Sequence, residues 1–225
     1  MAEPFGEPTV GGTPVGPSLA DERAESLIVS SELAFEGRVW DIRRETFEFA
    51  GAPVTRDFMD HPGAVGVLAL DREDRALLIR QYRHPVRLND WEIPAGLLDV
   101  VGEDPLLAAQ RELAEEADLE AAEWAVLADI NTSPGGSDEA IRIYLARELR
   151  GTPVRYERTE EEAELVTAWV ALDDCVDAVL DRRVSNAPLT VAVLAAAASR
   201  ARGWASLAPA DAPWDSKPGR EAAGA

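Results

Sequence analysis

Gly96 to Leu119 reads GLLDVVGEDPLLAAQRELAEEADL, and the reading of this stretch decides the fold. Pro105 suits the first turn of a helix, and Leu106, Leu107, Ala109, Leu113 and Ala117 supply its apolar face. On that helix Glu112, Glu115 and Glu116 stand at i, i+3 and i+4, so they share one side, a turn apart. Bare like charges at this spacing repel by about 0.2–0.5 kcal/mol per pair. Three close carboxylates suit a hard divalent cation such as Mg²⁺, which takes oxygen ligands and is often shared with substrate phosphates. No Cys/His cluster exists to favour zinc. Arg111 is placed to brace a carboxylate through a two-pronged contact, and Glu103 completes the set. A solvated acidic helix face accounts for the acid clustering equally well, so the decision rests on the surrounding pattern.

The composition narrows the choices. Forty-two acids against 22 bases give 225 residues a formal charge of −20. A non-specific nucleic-acid binder needs a basic surface to displace counterions, and docking on anionic lipid needs one too, so neither partner is expected. A small anionic substrate stays open if metal ions neutralise the site. Part of the acid excess is concentrated there, because seven acids and one base lie between Gly102 and Glu120. Cys175 stands alone, which excludes an intramolecular disulfide and suits a small buried hydrophobe better than a nucleophile. The apolar run Ala187 to Ala198 is too short to span a bilayer, and no basic segment followed by an apolar one opens the chain. A cytoplasmic location, with no membrane contact, is the expectation.

Working outward, residues 1–20 read as a disordered tail rich in Gly and Pro, and 208–225 as a flexible C-terminal tail. Residues 21–60 carry strand-forming residues in imperfect alternation, with a turn at Gly51-Ala52-Pro53, and read as a small antiparallel sheet. Two apolar runs, Ala64–Leu70 and Ala76–Tyr82, flank the polar turn Asp71–Asp74 and read as a hairpin. Beyond the acidic helix, strands are expected at Trp124–Ile130, Ile141–Ala146 and Leu165–Leu172, then helices at about Asp174–Arg182 and Pro188–Arg202. This order, without a regular βαβ array, predicts an α/β (α+β) fold: a mixed sheet between helices over 61–207.

Gly96, Glu103 and Arg111-Glu112-Leu113-x-Glu115-Glu116-x-x-Leu119 together resemble the Nudix box, the loop–helix–loop signature of Nudix hydrolases. The resemblance implies the Nudix fold and hydrolysis of a nucleoside diphosphate linked to another group, with Mg²⁺ or Mn²⁺. Two features depart from the usual pattern. Six residues rather than five separate Gly96 from Glu103, and Asp118 stands where a Gly normally follows the Glu-Glu pair. The first change lies in the loop before the helix. The second is tolerable because Asp accepts a left-handed conformation better than most residues. No carboxylate of the box is lost, as a catalytically silent Nudix binding module would show.

Trp91-Glu92-Ile93-Pro94-Ala95-Gly96 and Gln81-Tyr82-Arg83 resemble segments of the ADP-ribose pyrophosphatase branch. The resemblance implies that the Ala95 carbonyl, Glu112 and Glu116 are metal ligands, with Glu115 a further ligand or a supporting charge. It also implies that Arg111 and Glu103 brace the helix, that Arg83 contacts the substrate diphosphate and that Glu92 belongs to the substrate site. Ser133-Pro134-Gly135-Gly136-Ser137-Asp138-Glu139 resembles the mobile loop bearing the catalytic base, which puts Glu139 in that role. Asp138 and the Glu160–Glu164 run are its rivals. In this branch the N-terminal sheet is exchanged between two subunits. A homodimer is implied by that exchange, with Trp40 and Phe58 as candidates to clamp adenine and Arg56 as a further substrate contact. Relatives acting on nucleotide sugars such as GDP-mannose, on NADH or on dinucleoside polyphosphates remain alternatives on substrate.

Overall fold

Val, Ile, Thr and aromatic residues between Ser26 and Asp60 favour extended backbone, and three strands form there: β1 (Ile28–Phe35), β2 (Asp41–Phe49) and β3 (Ala52–Asp60). The computed structural model describes residues 19–153, 156, 165–215 and 217. The Glu160–Glu164 run, and the tail read over 1–20 apart from Leu19 and Ala20, lie outside the described residues. The three strands make an antiparallel sheet in the order β1-β2-β3. Ala50 and Gly51, with φ of 51° and 83°, form the tight two-residue connection between β2 and β3. Pro53 lies within β3, an edge strand, where a missing N–H costs no ladder bond. Little of this sheet is buried, so polar cross-strand pairs hold it. Arg43 pairs with Asp60 at 2.7 Å, Arg44 grips Asp57 at 2.7 and 2.9 Å, and the Thr46 and Thr55 hydroxyls meet at 2.8 Å.

The remaining strands are β4 (Ala64–Ala69), β5 (Arg75–Arg83), β6 (Leu88–Glu92), β7 (Ala95–Leu97), β8 (Leu119–Asn131), β9 (Ala140–Gly151), β10 (Val166–Ala171) and β11 (Ala208–Pro209). They build a mixed five-stranded sheet, β11-β8-β9-β4-β7, and a three-stranded sheet, β10-β5-β6. The expected hairpin between the two apolar runs is therefore corrected. The chain does turn back at Asp71–Arg75, with a single bridge between Leu70 and Ala76, but the strands then part into different sheets. β4 has parallel β9 on one side and antiparallel β7 on the other, so no edge is left for β5. The hairpin partner of β5 is β6, whose sequence Leu-Asn-Asp-Trp-Glu carries no apolar run to announce it.

All six residues of β4 are buried, and they divide by period two. Val65, Val67 and Ala69 pack with Ala109 and Leu113 of helix α1 (Pro105–Ala117). Ala64 and Leu68 pack with Leu189 and Val193 of α3 (Ala187–Arg200) and with Leu172 and Cys175 of α2 (Leu172–Leu180). A mixed sheet with helices on both faces results, as the order of the elements predicts. Among the described residues no helix is long and apolar enough to cross a membrane.

Residues 208–215 are packed, where a flexible tail over 208–225 was expected; residues 216 and 218–225 lie outside the described residues. β11 pairs with Ala125–Val126 of β8, and Arg142 holds the residues beyond it. This guanidinium is 4 % exposed, so its donors need internal acceptors. Asp129 takes two of them at 2.8 and 2.9 Å, and the Ala212 and Pro213 carbonyls take others at 2.6 and 3.0 Å. The guanidinium carbon also lies over the Trp214 ring, 5.0 Å from its centroid.

Candidate active site

Helix α1 is locally well specified. Asp104 caps its start by accepting from the Leu106 N–H at 2.8 Å, and Pro105 occupies the first turn. Asp118 ends it in the left-handed region at φ 54°, ψ 35°, the conformation expected of a residue standing in for glycine. The longer loop before the helix includes an exposed turn at Val100–Glu103. It closes by a Glu103 N–H to Val100 carbonyl bond of 3.1 Å and has Gly102 at φ 79°.

The three box acids do not share one environment. Glu112 and Glu116 are buried, at 9 % and 6 % exposure, and face β7. The Glu115 side chain sits at the rim, 39 % exposed. Glu116 accepts a hydrogen bond from the Ala95 N–H at 2.9 Å. Glu112 lies so close over Gly96 that a Cβ there would fall 2.0 Å from its carboxyl carbon. Gly96 is thus required for space rather than for turn geometry. Arg111 threads the cluster. Its Nε and Nη2 grip Glu103 at 3.1 and 3.0 Å, while Nη1 donates to Glu112 at 2.6 Å and to Glu115 at 3.1 Å. The hydrogen bond to Glu103 is the main reason the Arg111 guanidinium holds its proton more tightly than usual. The same bond holds the Glu103 carboxyl below the usual glutamate range. Arg111 thereby offsets repulsion that the acids would otherwise exert on one another.

Among the described residues no three His, Cys, Asp or Glu side chains gather closely enough to hold a metal ion by themselves. Arg111 and the Ala95 N–H each bind a carboxylate of the cluster. The donor chemistry nevertheless fits a hard cation: two buried carboxylates one turn apart, next to the backbone of an edge strand at Ala95. Mg²⁺ needs only one or two carboxylates, because it keeps several waters and takes substrate oxygens.

The other candidates lie on or beside the N-terminal sheet, on β5 and β6, and on the glycine loop before β9. Arg83 donates through Nε and Nη2 to Glu92, both at 2.7 Å, and Gln81 adds a 3.3 Å bond to the same carboxylate. Glu92 is 6 % exposed and Arg83 is 44 % exposed, so a buried acid aims a half-open guanidinium. Arg56 and Phe58 line a groove of about 560 Å³ with Asn131, Pro134 and Gly136. Trp40 stacks on His61, with ring centroids 4.4 Å apart. The glycine loop, expected to be mobile, is stitched to the end of β3. The Met59 N–H donates to the Gly136 carbonyl at 2.9 Å, and the Asp138 N–H donates back to the Met59 carbonyl at 3.3 Å. Asp138 uses its carboxylate to accept from the His61 N–H at 2.7 Å. Glu139 accepts from the Thr132 hydroxyl, and its other oxygen lies 3.2 Å from His61 Nε2. Gly66 of β4 faces Ala95 on one side and Ile143 on the other, so β7 and β9 run two strand spacings apart, about 10 Å. Glu139 stands immediately before β9. Sequence alone does not signal the contacts of His61 with Asp138 and Glu139, because those residues lie 77 and 78 positions away.

A mixed sheet between helices, with this acidic helix laid against a glycine on the edge strand, defines a Nudix hydrolase. The chain belongs to that family: the family model described as NUDIX domain matches residues 60–191. Over 191 residues the chain is 40 % identical to an ADP-ribose pyrophosphatase of Mycobacterium tuberculosis, covering 84 % of this chain and 91 % of that protein. It is 35 % identical over 170 residues to an ADP-ribose pyrophosphatase of Bacillus subtilis, covering 75 % and 91 %. A solved ADP compounds hydrolase shares the fold at a TM-score of 0.67 and 21 % identity, over 82 % of this chain and 99 % of that one.

Proposed function

We propose that this Nudix hydrolase cleaves the diphosphate of ADP-ribose to AMP and ribose 5-phosphate, with Mg²⁺ as the working cation, for which Mn²⁺ can substitute. The observation that carries the reading is the pair of buried carboxylates, Glu112 and Glu116, packed against Ala95 and Gly96 and braced by Arg111. Identity of 35–40 % to two ADP-ribose pyrophosphatases supports the substrate.

In this reading Glu112, Glu116 and the Ala95 carbonyl hold the metal, and Glu115 joins them or supports them from the rim. A bound divalent cation supplies charge neutralisation for the diphosphate and lowers the pKa of a coordinated water. Arg83, aimed by Glu92, binds the diphosphate through its planar guanidinium. Glu139 orients the attacking water and takes its proton as the oxygen bonds to phosphorus in line with the bridging oxygen. The bridging P–O bond breaks, and the leaving group departs as a phosphate that needs no strong acid. Arg56, Phe58 and Trp40 form the nucleoside side, with an aromatic face on adenine worth about 1–3 kcal/mol.

The enzyme works as a cytoplasmic homodimer. Support comes from β1, where Ile28, Val29, Leu33 and Phe35 are all about half exposed or more, an apolar surface that a second copy would cover. A panel of ADP-ribose, GDP-mannose, NADH and a dinucleoside polyphosphate tests the substrate. The expected result is the highest kcat/KM on ADP-ribose, and a clear preference for another member overturns the assignment.

A further inference from the structure

We infer that Asp118 is a positioning residue, which fastens the chain leaving β9 to the end of the helix that carries Glu112 and Glu116. Two hydrogen bonds form the clasp. The Thr152 N–H donates to the Asp118 carbonyl at 2.9 Å, one step beyond the β8–β9 ladder that ends at Leu119 and Gly151. The Tyr156 N–H donates to the Asp118 carboxylate at 3.0 Å. Any residue could make the first bond, since it uses only backbone. The second needs a side-chain acceptor, and a glycine at this position has none. Asp118 holds φ 54°, ψ 35°, where glycine is the least strained choice. Its own N–H already ends α1 on the Ala114 and Leu113 carbonyls, so helix termination does not need the carboxylate. That carboxylate acts on a residue 38 positions further along the chain. The clasp lies close to the chemistry, because Asp118 stands two residues after Glu116 and Glu157 follows Tyr156 directly. Glu160 opens the run of acids that rivals Glu139 for the base. Four residues span at most about 14 Å, so Glu160 is leashed within that distance of Tyr156, a point fixed on the metal-binding helix. With only the Thr152 bond left, the leash would be eight residues and its reach about 28 Å. The shorter leash lowers the entropy cost of holding an acid at the site.

Asp118→Gly removes the acceptor and relaxes the backbone, whereas Asp118→Asn keeps an acceptor and a residue that tolerates the left-handed conformation. Tyrosine occurs at Tyr82, Tyr144 and Tyr156 alone, so labelling the full-length chain with ¹⁵N-tyrosine marks one amide for each. In Asp118→Gly the Tyr156 amide is expected to exchange with solvent about tenfold faster than in the parent, and in Asp118→Asn within about threefold of it, with Tyr82 and Tyr144 unchanged. The kinetic arm rests on the ADP-ribose reading. With ADP-ribose and Mg²⁺, Asp118→Gly should lower kcat by about 5- to 20-fold, with KM changed less than about threefold. Its rise in melting temperature with Mg²⁺ should match the parent's, because Glu112 and Glu116 are untouched. Asp118→Asn should bring kcat back to within about twofold of the parent. A role confined to ending α1 predicts the reverse, since glycine suits the position best and would leave kcat as it is. If Asp118→Gly fails to fold, Tyr156→Pro removes the same bond from the donor side and is expected to lower kcat alike. Parental Tyr156 exchange in Asp118→Gly, or parental kcat in the folded variant, overturns the inference. If the parent does not cleave ADP-ribose, the proposed function fails and the positioning role fails with it, while the exchange measurement, which needs no substrate, still shows whether the clasp is there.

Discussion

Glu116→Gln is expected to fold as the parent does and to lose kcat by about 10²- to 10³-fold. The carboxylate is 6 % exposed and accepts the Ala95 N–H at 2.9 Å, and a glutamine carbonyl oxygen can accept the same bond. The substitution therefore removes a charge without orphaning the backbone donor. A neutral amide is a poor ligand for a hard cation, and the loss falls on charge stabilisation at the diphosphate. Relief of like-charge repulsion with Glu112, four residues earlier, leaves metal-free stability unchanged or slightly higher. Added Mg²⁺ should raise the melting temperature of the parent and fail to raise that of the variant, because only the parent binds it in the folded state. A variant with normal kcat and a normal Mg²⁺ response would remove Glu116 from the metal site.

Gly96→Ala is expected to be nearly as damaging, by a different route. The new Cβ would lie 2.0 Å from both Cδ and Oε1 of Glu112, far inside contact distance. The carboxylate has to move, and its partner Arg111, at 2.6 Å, has to move with it. The group displaced is the end of a side chain rather than backbone, so the fold survives with a modest fall in melting temperature. Misplacing a catalytic ligand by about 1 Å costs roughly 10²-fold in turnover. Kinetics and melting measured together check this, and turnover near that of the parent would show that Glu112 need not sit where it does.

The acidic helix is legible in the sequence because its determinants are local. The Asp104 cap, Pro105, the apolar spacing and the left-handed Asp118 all act within a few residues of one another. The apolar runs at β4 and β5 are legible as strands but not as partners. Both are buried, and burial alone does not say which edge each strand meets. The polar strand β6, the three-residue β7 and the packed C-terminal segment carry no periodic signal. β7 and residues 208–215 are held by partners distant in sequence, as Arg142 holds Ala212 from 70 residues away, while β6 pairs with its neighbour β5 and is hidden by its polar composition. The contacts of His61 escape a sequence reading for the same reason, since Asp138 and Glu139 lie on a loop brought alongside β3 only by folding.

The charge of −20 looks at first like a bar to anionic ligands, and under the proposed function part of it becomes a place where cations admit such a ligand. The most direct test tracks the products: purified protein, ADP-ribose, and AMP measured with Mg²⁺ present or removed by a chelator. The account expects AMP and ribose 5-phosphate in equal amounts, formed only with the divalent cation and restored when it is returned. No AMP from ADP-ribose at saturating Mg²⁺, or release unaffected by the chelator, would contradict it.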